Sequence, residues 1–208
     1  VTGDYYSREG QDKKALQALK KTLALEGGEK FQVWEQMLLL EVQNNMYDSL
    51  IKDGPEAIAT FPNQPLPYLF TGVAYVAKNQ HQEAIDYLEQ GISYVFGSPR
   101  LKEQFYSQLA TAHHKVKNYT KSDEYFDKAL AINSENPSTL NNYAYYLSQR
   151  GEKLDKALEM TAKSNQLSPE NPVFLDTYAW VYYKKGEYEK ALDKIEKALS
   201  LMQKPDAE

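Results

Sequence analysis

The chain has 208 residues, 42 % of them hydrophobic, and 29 acidic side chains against 24 basic ones leave a net charge of −5. Lys and Glu are interspersed rather than gathered into a basic face, which argues against a nucleic-acid partner, and the absence of cysteine excludes disulfides, iron–sulfur clusters and Cys-zinc sites. No apolar run nears the ~18 residues that span a bilayer; the densest, Met37-Leu38-Leu39-Leu40, has Glu35 and Glu41 on either side, and the mean hydropathy is −0.67.

Tyrosine outnumbers phenylalanine 17 to 7. A side chain with an apolar body and a wet hydroxyl suits thin, two-layer structures with much surface. The opening residues do not read as a signal peptide, and a start at Val1 is that of a processed or trimmed piece of a longer chain.

Two stretches repeat. Asn141-Asn142-Tyr143-Ala144-Tyr145, with Gly151 and Ala157, is echoed by Asp176-Thr177-Tyr178-Ala179-Trp180, with Gly186 and Ala191; Tyr178 follows Tyr143 by 35 residues. This pattern resembles the tetratricopeptide repeat, a helix–turn–helix unit of about 34 residues. The resemblance implies a large residue at position 4, small ones at 8, 20 and 27, an aromatic near 11 and Pro near 32.

In chain order, residues 1–29 fit a repeat lacking its first five positions, with Gly3 at 8, Tyr6 at 11 and Ala15 at 20. Residues 31–64 place Trp34 at 4, Ala57 at 27 and Pro62 at 32. Leu38, Leu50 and Gly54 break the pattern there and predict irregular packing. Residues 65–102 hold a repeat with Tyr68, Gly72, Tyr75, Ala84 and Gly91 in phase, followed by four extra residues, Pro99 to Lys102. Residues 103–136 carry Tyr106, Ala110, Phe126 and Ala129 in phase. Residues 137–171 carry Leu140, Ala144 and Ala157, with one extra residue around Lys153. Residues 172–205 carry Leu175, Ala179, Tyr182, Ala191 and Ala198.

Apolar spacing of three and four residues predicts two amphipathic helices per repeat. Gly151 and Gly186 should end first helices in the left-handed conformation. Pro62, Pro137, Pro169 and Pro172 should stop second helices or open the next first ones. A lone helix pair cannot bury its apolar face, so stacking supplies the core. The expected fold is all-α, a single right-handed superhelical solenoid of antiparallel helix pairs over residues 1–208. After Ala198-Leu199-Ser200-Leu201 no polar capping helix follows, so the last helix should fray or pair with another molecule.

By the resemblance, first helices line a concave face through positions 2, 5, 6, 9, 12 and 13. Residue by residue, this gives Phe70 in the third repeat and Gln108 and His114 in the fourth. The fifth offers Asn141, Asn142 and Tyr145, and the sixth Asp176, Thr177, Trp180 and Tyr183. Phe70 extends an apolar stretch with Leu66, Leu69 and Val73. Asn142, Tyr145, Trp180 and Tyr183 make an amide-and-aromatic cluster, with amides suited to a peptide backbone and aromatics to anchoring. The alternatives are that Phe70 packs on a neighbouring helix and that Trp180 covers the end of the stack. A basic clamp for C-terminal carboxylates is absent from the matching positions.

His113 and His114 point about 100° apart on a helix and make poor co-ligands; His113 falls on an interior position, and His81 reads as a solvated turn residue. No metal, phosphate-loop, nucleophile-elbow or dinucleotide motif occurs. Asn118-Tyr119-Thr120 matches a glycosylation sequon of the kind that arises by chance. The expectation is a non-catalytic scaffold that binds a protein or peptide, with no cofactor and no metal. Alternatives are self-association through the open repeat ends, or a module of a larger protein whose activity lies elsewhere. The Tyr-Ala-Tyr/Trp copies resemble those of bacterial cell-envelope repeat proteins, which favours periplasm or envelope over cytoplasm.

Overall fold

A computed structural model describes residues 11–25 and 30–202, and within them the regular structure is eleven helices and no strand. They are α1 (Asp12–Leu23), α2 (Phe31–Gln43), α3 (Tyr47–Thr60), α4 (Pro65–Ala77), α5 (His81–Ile92), α6 (Pro99–Lys115), α7 (Tyr119–Ile132), α8 (Pro137–Arg150), α9 (Leu154–Leu167), α10 (Pro172–Lys184) and α11 (Tyr188–Met202). The chain forms two compact units, divided between Lys117 and Asn118. Gly3 and Tyr6 lie outside the described residues.

Prolines open α4, α6, α8 and α10, where the missing N–H costs nothing. Pro99 to Lys102 do not separate two repeats, as the spacing suggests. They form the first turn of a longer α6, capped by Ser98, whose hydroxyl accepts from the Leu101 amide. His81 likewise opens α5 rather than lying in a turn, and it is half-buried.

The end of each first helix is uniform. Asn45, Asn79, Lys117, Gly151 and Gly186 all have positive φ, from 54° to 79°, and all fall at position 15 of their repeats. Only two of the five are glycine, so Asn and Lys adopt the left-handed turn at a steric cost that Asn reduces by local hydrogen bonding. The extra residue near Lys153 is accommodated by a second left-handed residue, Lys153 itself, just before α9.

In the first unit, the core joins Leu16 and Leu19 of α1, Trp34, Met37 and Leu38 of α2 and Leu50 of α3. The departures in residues 31–64 compensate one another. Leu38 and Leu50 are fully buried where small residues were expected, and Gly54 is the point of close approach: a Cβ there would lie 2.0 Å from Thr71 Oγ1 of α4. Both helices form in phase, and α3 continues through Pro55.

A charged cluster crosses this core. Lys20 of α1 pairs with Asp53 of α3 at 2.7 Å and lies 3.5 Å from Glu41 of α2. Glu41 is wholly buried. Burial above all, then the hydrogen bond and negative charge of Asp53, push its pKa up to about 8 against the opposing pull of Lys20.

Two predictions follow from these backbones and charges. Replacing Lys117 by Gly relieves left-handed strain and should raise unfolding stability by about 0.5–1 kcal/mol, whereas Gly151→Ala, whose Cβ would meet nothing within 4 Å, should lower it by about 1 kcal/mol; urea midpoints measure both. Separately, folded Glu41 holds a proton that the unfolded chain loses near pH 4.5, so its contribution is full below that pH and is lost as pH rises through about 8. Glu41→Gln should therefore melt higher than wild type at pH 8.5, with the difference shrinking toward pH 5, as read by thermal scans across that range.

Candidate functional site

The second unit contains the residues that sequence reasoning grouped around α8 and α10. Two Asn-Pro steps set these helices. Asn136 Oδ1 accepts from the Ser138 and Thr139 amides at the start of α8, and Asn171 Oδ1 accepts from the Val173 and Phe174 amides at the start of α10. Such caps are each worth about 1 kcal/mol. Asn165 of α9 then donates to the Phe174 carbonyl at 3.1 Å, and Lys185 pairs with Asp155 of α9, so α10 is tied at both ends.

Helix α8 is fixed against α7. Tyr143 stacks on Phe126 with ring centroids 4.8 Å apart. Arg150, almost wholly buried, reaches Asp123 at 2.7 Å and lies over the Tyr119 ring. Burial chiefly, with the nearby carboxylates of Asp123 and Asp127, holds the Tyr143 hydroxyl well above its ordinary range, so it stays protonated and serves packing.

Between α8, α10 and α11 runs a groove of about 660 Å³. Tyr145, Asp176, Ala179, Trp180 and Tyr183 line one side, and Tyr188, Ala191, Leu192 and Ile195 of α11 line the other. Trp180 stacks on Tyr183 at 5.7 Å and 21°, and Tyr183 leans on Tyr188 at 5.5 Å. The three rings are 37 %, 54 % and 63 % exposed. The Lys184 ammonium lies 5.1 Å from the Trp180 ring, and the Tyr145 hydroxyl accepts from Gln149. The surface is apolar and aromatic with one carboxylate, Asp176, at its edge.

Of the sequence-derived candidates, the groove brings together Tyr145, Asp176, Trp180 and Tyr183. Asn142 is half-buried nearby in the chain but does not line it. Asn141 and Thr177 are buried and offer a ligand little surface, with Thr177 Oγ1 bonding its own helix at the Val173 carbonyl. The remaining three candidates lie in the first unit. His114 is buried there, Gln108 is half-buried, and Phe70 packs against the α1–α3 core. For Phe70 the packing alternative thus describes its setting.

Sequence reasoning missed Tyr188, Leu192 and Ile195, because it looked only along first helices. Their spacing of four and then three residues on α11 was the available signal. Among the described residues no three metal-ligating side chains cluster, and no helix is long and apolar enough to cross a membrane.

Repeated helix pairs with a left-handed residue at a fixed position, each first helix packed on the pair before it, define a helical-repeat protein. Tetratricopeptide-repeat family models match residues 68–94, 103–136 and 172–205, so the chain carries tetratricopeptide repeats over these residues. No curated protein matches the chain in sequence. Among solved structures, YrrB, described as a TPR protein with an unusual peptide-binding site, is 21 % identical with a TM-score of 0.62, over 88 % of this chain and 92 % of its own. MamA from Desulfovibrio magneticus is 15 % identical with a TM-score of 0.68, over 86 % and 98 %. A tetratricopeptide repeat protein from Parabacteroides merdae is 14 % identical with a TM-score of 0.77, over 98 % and 78 %. These likenesses show a shared solenoid fold. Such repeats generally serve as scaffolds for protein interaction, and that general role extends to this chain.

Proposed function

We propose that this protein binds a peptide segment of a partner in the groove of its second unit, with Tyr145, Trp180 and Tyr183 as anchors and Asp176 as a polar contact at the rim. The observation that carries the reading is the row of exposed, mutually stacked rings of Trp180, Tyr183 and Tyr188 beside the groove. Stacking holds each ring in place, so little rotamer freedom remains to be lost on binding. Tyr and Trp on a concave surface are favoured anchors. The described peptide-binding site of YrrB, on a similar fold, supports a peptide ligand. The binding is non-catalytic on this reading and needs no cofactor.

Peptides selected from a displayed random library against the whole chain should bind through this groove. Trp180→Ala and Tyr145→Ala should each weaken them by roughly 30-fold, on the order of 2 kcal/mol. Trp180→Ala should leave the melting temperature nearly unchanged, because the ring is more than one-third exposed. A purely structural role predicts the reverse, with a stability loss nearer 3–5 kcal/mol and unchanged affinity in the folded fraction; that result overturns the groove assignment.

A further inference from the structure

Glu41 of α2 is wholly buried where α1, α2 and α3 meet, and neither of its carboxylate oxygens is bonded by a donor. Asp53 of α3, almost wholly buried beside it, takes the Lys20 ammonium of α1 at 2.7 Å and leaves it 3.5 Å from Glu41. Two buried acids thus face one cation. An ionised Glu41 would be a buried charge without a donor, which is costly. As a neutral carboxyl it becomes a donor itself and meets an acceptor in Asp53. The buried charges then balance, one ammonium against one carboxylate.

Among the described residues no other charge corrects the count. On α1, Asp12 is bonded by Asn44, and Lys13, Lys14 and Lys21 are exposed. On α2, Glu35 lies about 120° round the helix from Glu41. On α3, Lys52 and Glu56 are exposed, and Asp48 pairs with Lys78. Helix α4 carries no charged side chain between Pro65 and Ala77.

The longer connection at this joint lies on the α1 side. Three residues separate α2 from α3, whereas seven separate α1 from α2. Lys20, the α1 residue that reaches both acids, is half-exposed, so water meets the pair when α1 moves away.

We infer that α1 seats on α2 and α3 with uptake of one proton, held by Glu41 against Asp53, so that this joint is a pH-operated latch, tightest in acid and loosened as the solution approaches and passes neutrality.

Seated Glu41, raised by burial first and by Asp53 next, keeps its proton to about pH 8, whereas Glu41 returned to water loses it near pH 4.5. The contribution of the proton to seating is therefore full below about pH 4.5 and is lost as pH rises through about 8. Opening of α1 should grow roughly 50-fold from pH 6 to pH 8 and level off above that.

Hydrogen–deuterium exchange on the whole chain, corrected for intrinsic amide rates, reads the opening of α1 and of α4 side by side. The α1 amides should show this rise and open more readily than those of α4 throughout. Glu41→Gln, neutral at every pH, should flatten the α1 profile. Lys20→Met removes the one group that opposes the proton and should move the levelling-off to higher pH, a shift that lost packing alone would not give. An α1 opening that stays flat from pH 6 to pH 8 overturns the proposal. So does a rise that survives in Glu41→Gln, which would put the proton elsewhere. One common rate for α1 and α4 also overturns it, because the opening would then be that of the whole unit.

Discussion

The structure depends on one constraint: a helix pair has two apolar faces and can bury only one of them within itself. The second face must be covered by the first helix of the following pair. This explains where small side chains fall. Gly72 abuts Leu88 within its own pair, and Gly91 lies under Tyr68 and Phe105. Where a pair departs from this scheme, as with Leu38 and Leu50, the neighbouring interface yields space at Gly54.

The turn shares in this regularity. A single left-handed residue at position 15 ends the first helix in five repeats. Its geometry persists with Asn or Lys in place of Gly, and at Asn45 and Asn79 the packing of the two helices outweighs a local cost of about 1–2 kcal/mol. Where a residue is inserted, the second left-handed residue, Lys153, absorbs it and α9 still presents Ala157 to α8 in phase. Tertiary packing thus sets the turn, and the turn residue is chosen within what packing tolerates.

Much of this was legible in the sequence because the period is strict. Gly151 and Gly186, the prolines of α8 and α10, and the buried residues Tyr68, Ala84 and Ala129 fall where the register puts them. The register assigns a residue to a side of a helix, but not a depth. Asn141 and Tyr145 are one helical turn apart, yet Asn141 is buried and Tyr145 half-buried. Pro99 to Lys102 looked like a spacer because the repeat has no position for them; a Pro at the first helical position is equally a start signal, and α6 uses it so. The aromatic groove was half visible, since Trp180 and Tyr183 came from the first-helix positions while its second wall came from α11.

That second wall changes what kind of surface this is. Trp180 and Tyr183 alone would be flat anchors on one helix. With Tyr188, Leu192 and Ile195 they become the near side of a trough between two helices, whose floor is set by the small residues Ala179 and Ala191, which let α10 and α11 approach closely. The floor is tied to its neighbours: Asn171 caps α10, Asn165 holds its first turn and Lys185 links its end to α9. In the proposed binding, a floor held in this way with stacked rings along its rim acts by shape more than by rearrangement. On that proposal the chemistry of recognition lies in the spacing of side chains on α10 and α11, which the repeat that builds the fold also sets.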